Sequence, residues 1–178
     1  MTIRHLALAL ALFASPALAE MVLTSPDFTD GGTLPDAQVL NGFGCEGPNL
    51  SPALAWSGVP EAAESLILTL YDPDAPTGSG WWHWTVANIP ADVTGLPAGA
   101  TAGTLPEGAV EGRTDFGNPG FGGACPPEGA APHRYVFTLY AIPEAALPID
   151  ANASGALVGF YANAMALETA TLTATFGR

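Results

Sequence analysis

A mainly β domain, a sandwich with one helix packed near its end, is what this 178-residue sequence predicts. Three observations carry the prediction. Four apolar runs have the length and β-branched or aromatic content of strands. Glycine (21) and proline (17) are dense, and after the first twenty residues they fall between those runs, as in all-β domains with elaborate loops. One stretch alone holds a helical period without a proline.

Met1 to Ala19 come first and are set apart from the fold. Arg4 and His5 form a weakly basic head, Leu6 to Phe13 are unbroken apolar, and Ala17-Leu18-Ala19 is a small-residue cleavage site. That order is a secretory signal peptide, leaving residues 20–178 as a single exported domain in the periplasm or outside the cell. The apolar run is too short for a transmembrane segment, which needs ~20 residues.

Leu66 to Tyr71 is apolar apart from Thr69, the pattern of a strand buried on both faces. Trp82 to Ile89 and Tyr135 to Ile142 are aromatic and β-branched. Strict alternation along the former puts His83 with Thr85, Ala87 and Ile89, opposite Trp82, Trp84 and Val86. Residues 91–132 carry ten glycines and six prolines without helical period, so they read as functional loops hiding short strands. Around Ser154 to Leu167, the residues Leu157, Phe160, Tyr161, Ala164 and Leu167 repeat at helical spacing. Thr171 to Phe176 alternates again and closes the fold.

Charge excludes several functions. Asp and Glu number 17 against four arginines and no lysine, a formal net charge of −13. No basic stripe for nucleic acid can be built from that. A phosphate-binding loop with its lysine and a Schiff base are excluded as well. After export, the two cysteines, Cys45 and Cys125, most simply form one disulfide. The alternative makes Cys125 a nucleophile beside a histidine.

Chemistry concentrates in two segments. Asp72-Pro73-Asp74-Ala75-Pro76 leaves one strand, and Gly80-Trp81-Trp82-His83-Trp84 enters the next. His83 among tryptophans is desolvated, and a carboxylate such as Asp72 would fix its tautomer. Gly120 to Pro127 leads to His133-Arg134-Tyr135, with Gly122 and Gly123 offering exposed amides and Pro126 and Pro127 stiffening the wall. The two histidines point to one shared site. Asp72 and Asp74 add carboxylates, but the spacing matches no zinc pattern, and no metal or other cofactor is expected.

These segments resemble the phosphatidylethanolamine-binding proteins, in their bacterial Raf kinase inhibitor-like branch. The resemblance rests on Asp72 to Pro76, Gly80 to Asn88, Asp115-Phe116-Gly117, Gly120 to Gly123, Cys125-Pro126-Pro127 and His133 to Phe137. Asn49 to Pro52 and Ser154-Gly155-Ala156 extend it. It implies a Greek-key antiparallel sandwich with a few short helices, one near the C-terminus. It also implies a pocket for phosphate-like head groups lined or supported by Asp72, Ala75, Pro76, Trp81, His83, Pro126, His133 and Tyr135. Asp74 and Gly123 complete the candidate ligand set, and a Cys45–Cys125 disulfide would brace one wall.

The leading function is therefore a binding module for a small anionic ligand, not an enzyme. Its binding should strengthen as pH falls through ~6.5, the ordinary histidine value. An extracytoplasmic protein-interaction or inhibitor role is the alternative, a Cys125–histidine hydrolase a weaker one, and a homodimer is left open.

Overall fold

The structure, a computed structural model, describes residues 20–101 and 103–178, so the signal-peptide reading of residues 1–19 lies outside the described residues. The strands in chain order are β1 (Val22–Thr24), β2 (Gly32–Thr33), β3 (Asn41–Gly42), β4 (Cys45–Glu46), β5 (Leu54–Ser57) and β6 (Ser65–Asp72). They continue as β7 (Trp81–Pro90), β8 (Gly95–Leu96), β9 (Val110–Glu111), β10 (His133–Ile142) and β11 (Glu168–Phe176), with helix α1 (Gly155–Met165) before the last.

The four long strands are the four apolar runs, each extended at one or both ends. They form the centre of a six-stranded sheet in the order β2-β11-β10-β6-β7-β9, and β1-β5-β8 form a three-stranded sheet. Within the large sheet, the spatial order β10-β6-β7-β9 is a Greek key, with β10 returning beside β6. One pairing departs from the antiparallel expectation, because β2 runs parallel to β11. The loop-rich stretch does hide short strands, β8 and β9.

β6 explains why its sequence is continuously apolar. Leu66, Leu68 and Leu70 join Leu23, Leu54, Trp56 and Leu96 of the small sheet in the sandwich core. Ile67 turns the other way, into a second cluster with Val158 and Ala162 of α1. Each such side chain stabilises the fold by roughly 1.5–3 kcal/mol when fully buried.

The helix forms where its period places it, but it presents a different face. The Ser154 hydroxyl caps its start, accepting from the Leu157 amide at 3.2 Å. Gly155, Val158, Gly159 and Ala162 are the buried positions, whereas Phe160 is 66% exposed and Leu157 and Leu167 are also exposed. The cause is Trp82: a Cβ on Gly155 or Gly159 would run into its indole, so α1 docks on that ring through its smallest residues. Of the residues at helical spacing, Leu157, Phe160 and Leu167 mark the outer side, while Tyr161 packs against the second cluster. No helix among the described residues is long and apolar enough to cross a membrane.

Candidate functional site

At the end of β6 the chain turns through Pro73 to Pro76, and Asp72 organises the turn. Its Oδ1 accepts the amides of Asp74 (2.8 Å) and Ala75 (3.1 Å), while Oδ2 accepts from His133 Nδ1 at 2.7 Å. Asp72 and His133 are both buried. Asp74 faces away and takes a bidentate grip from Arg134, Nε to Oδ2 at 2.9 Å and Nη2 to Oδ1 at 2.7 Å, plus the Arg134 amide at 2.9 Å. The Arg134 side chain beside it holds the Asp74 carboxyl down to about 2. Asp74 therefore staples the turn to β10 on the outside and does not line the pocket.

His83 reaches the site through a register shift. Tyr71 pairs with Trp82 and Leu70 with Trp84, leaving His83 as an extra residue on β7. A second shift, between Leu66 and Leu68, lies near Asn88, whose φ is +58°. Strict alternation consequently fails: Ile89 packs in the same core as Trp84 and Val86, not with Ala87. His83 Nδ1 donates to the Gly122 carbonyl at 2.8 Å. Its ring lies edge-on to Tyr135 (5.2 Å between centroids) and Phe116 (5.4 Å). Burial pushes the His83 pKa below its ordinary value, against the opposing pull of the Gly122 carbonyl and Asp72. The pH at which His83 charges is thus lower than the ~6.5 of a free imidazole.

The glycine loop behaves differently from the expectation of exposed amides. The Gly122 amide donates to the His83 carbonyl (2.9 Å) and that of Gly123 to Asn49 Oδ1 (2.7 Å). Asn49 Nδ2 returns to the Phe121 carbonyl at 3.1 Å. A side chain on Gly123 would collide with the Gln38 carbonyl and the Leu40 amide, so close packing requires this glycine. Gly123 is not among the lining residues, and its amide is already engaged behind the pocket. The next wall is the Cys45–Cys125 disulfide, which joins the β3–β4 hairpin to the loop. With both sulfurs bonded, Cys125 presents a disulfide and not a thiol to the pocket.

These segments enclose a cavity of about 170 Å³. Asp72, Ala75, Pro76, Trp81, His83, Pro126, His133 and Tyr135 all line it, as the resemblance implied. Sequence reasoning missed Phe43 as a lining residue and gave Phe116 no role there. Phe43 sits at the hairpin tip, 75% exposed with φ +53°, and packs edge-on against Phe116 at 5.5 Å. Two polar atoms of the lining, Trp81 Nε1 and Tyr135 Oη, are buried without a protein partner. Such groups cost stability unless something pairs with them. Burial, reinforced by Asp72, raises the Tyr135 pKa, so its hydroxyl keeps its proton. Among the described residues no arginine lines the cavity: Arg113 and Arg134 are exposed, and Arg178 bonds the Pro126 carbonyl (2.7 Å) and Gly44 carbonyl (3.1 Å) behind it.

With this geometry in place, comparison with known proteins assigns the family. The family profile described as phosphatidylethanolamine-binding protein matches residues 24–177. The chain belongs to that family. UPF0098 protein YbcL of Escherichia coli is 55% identical over 172 residues, covering 95% of this chain and 93% of that protein. The crystal structure of E. coli YbcL, described as a new member of the mammalian PEBP family, superposes with a TM-score of 0.88 at 54% identity, over 90% of this chain and 99% of that one. A putative lipoprotein, LppC of Mycobacterium tuberculosis, is 37% identical over 142 residues, 79% of this chain and 64% of its own.

Proposed function

We propose that this family member is an exported binding protein whose cavity takes a small phosphate-like anionic group, and that it is not an enzyme. The observation that carries the reading is a small cavity lined by His83 and His133 together with Trp81 and Tyr135, whose Nε1–H and O–H are buried without a protein partner. An anion would satisfy both donors at once. The aromatic and proline walls limit the ligand to a compact head group. Export is supported by the disulfide, which suits an oxidising compartment, and by the lipoprotein description of one relative.

Calorimetric titration of inorganic phosphate and phosphoethanolamine tests the site. Tyr135→Phe should weaken binding about tenfold, the worth of one hydrogen bond to a charged group. His83→Ala should weaken it further by removing a lining ring. Equal heats for all three proteins would sink the assignment. A second reading, interaction with an extracytoplasmic protein, is favoured by the exposed apolar residues Leu157 and Phe160 on α1. It requires a partner in the envelope that wild type recovers and Phe160→Ser does not.

A further inference from the structure

We propose that the cavity selects a phosphate group that still carries a proton, a phosphate monoester or inorganic phosphate, over fully ionised diesters and sulfate esters. The inference rests on the anion-pocket reading above and follows from where the protons must lie. A carbonyl oxygen only accepts, so the 2.8 Å bond from His83 Nδ1 to Gly122 fixes a proton on Nδ1. Asp72 is equally committed: two amides occupy Oδ1, and Oδ2 accepts from His133 Nδ1 at 2.7 Å. A neutral imidazole has a single N–H. With it held on Nδ1, the Nε2 of the buried His83 ring is a lone pair.

The lining therefore holds an acceptor at His83 Nε2, beside His133 paired with the Asp72 carboxylate and the buried donors of Trp81 and Tyr135. An anion without hydrogens can use only the donors, and its oxygens would face the His83 lone pair and the Asp72 carboxylate. A phosphate bearing P–O–H matches both halves. Protonating His83 would also repair the mismatch, but its burial opposes this and outweighs the pull of the Gly122 carbonyl and the nearby carboxylates. The charged groups nearest the rings are Asp72, which His133 already engages, and Asp115, whose Oδ2 accepts the Trp82 amide at 2.8 Å. His83 itself is only 3% exposed, and burial opposes its charged form. The neighbouring Arg134 is bound to Asp74 outside the cavity, and from the remaining walls Phe43, Phe116, Pro126 and Pro127 bring no charge.

Three ligands that share an ethanolamine arm separate the possibilities by calorimetry. Phosphoethanolamine is a monoester, glycerophosphoethanolamine a diester, and O-sulfoethanolamine a sulfate ester with no proton to give. At about pH 6, near the second ionisation of a phosphate monoester, phosphoethanolamine should bind at least tenfold tighter than either. Toward about pH 8 its affinity should fall roughly tenfold per unit, with about one proton taken up on binding. Asp72→Asn adds a readout that a merely structural role would not move. Its oxygen must stay under the two amides, so its NH2 faces His133 Nδ1 and drives the imidazole proton to Nε2. The sulfate ester should then gain on the monoester by about tenfold.

Equal binding of all three ligands by wild type, with loss in Tyr135→Phe, would overturn the selection and leave the anion pocket standing. Binding of none would overturn both. Vesicles carrying phosphatidic acid, a monoester head group, distinguish a lipid source from a soluble one. Co-sedimentation with these but not with phosphatidylethanolamine vesicles supports selection on a lipid, and soluble binding alone supports it on a free ester. Equal co-sedimentation with both would count against it.

Discussion

Replacing Cys45 and Cys125 with alanine should lower stability without dismantling the pocket. The disulfide spans 80 residues of sequence. In the chain-entropy treatment, freeing a loop of that length costs about 4.5 kcal/mol, an upper value because any native strain subtracts. The effect is exerted on the unfolded chain, since other bonds hold the same segments together when folded. Leu40 N donates to the Ala124 carbonyl and Ala124 N to the Gln38 carbonyl, each at 3.0 Å. Arg178 spans the Gly44 and Pro126 carbonyls. Taking about 3–4.5 kcal/mol, and about 2–4 °C per kcal/mol for a chain of this size, the melting temperature should drop by roughly 6–18 °C.

Differential scanning calorimetry of the oxidised protein, the double variant and the wild type under a thiol reductant provides the comparison. The last two should agree. Urea unfolding should show a larger m-value in the double variant, because the freed chain exposes more surface. A drop below about 3 °C, or an unchanged m-value, would refute the loop-closure reasoning.

Three further outcomes follow from single contacts. Gly123→Ala should destabilise by about 2 kcal/mol or more and weaken anion binding, because its methyl meets the Gln38 and Leu40 backbone; urea titration and calorimetry would measure both. Gly155→Ala should cost about 1–3 kcal/mol by lifting α1 from Trp82, yet leave anion affinity within about twofold, since α1 lines none of the cavity. Asp74 should govern part of the acid transition. Its folded carboxyl lies at about 2, below an ordinary aspartate, so its contribution is complete above about pH 4 and is lost as pH falls toward about 2. In Asp74→Asn the melting temperature should fall less steeply across that window.

The fold was largely legible because burial on two faces leaves an unmistakable pattern. Leu66 to Tyr71 could hardly be anything but a central strand, and β6 is paired on both sides by β7 and β10. The face of α1 was not legible. Phe160 and Leu157 are stronger hydrophobic signals than Gly155 and Gly159, but the indole of Trp82, distant in sequence, decides which side can approach. Mixed sheet pairing was hidden as well, since β2 is two residues long and carries no period.

The site was legible as a set of residues and obscure as a geometry. Asp72, His83 and His133 stood out by chemistry, and the structure brings all three to one cavity. Alternation put His83 opposite Trp84, and only the register shift seen against β6 lets both turn inward. The glycines illustrate a general ambiguity: a missing Cβ can admit a ligand or a neighbouring backbone, and Gly123 admits the Gln38 segment. Phe43 gave no signal because its place depends on the disulfide and on the left-handed turn at the hairpin tip.

The lack of lysine has a consequence for binding that can be measured directly. Phosphate sites built on lysine and arginine lose affinity as salt screens the attraction. Here the lining carries one carboxylate and no arginine, and the chain as a whole has a formal charge of −13. Long-range electrostatics therefore oppose the arrival of an anion, and what holds it must be short-range hydrogen bonds in a desolvated cavity. Raising a non-coordinating salt from about 0.05 M to about 0.5 M shortens the screening length severalfold and should leave phosphoethanolamine affinity unchanged or slightly higher. A fall of more than about threefold would mean that a fixed positive charge reaches the ligand, and Arg134 would have to leave Asp74 to supply it.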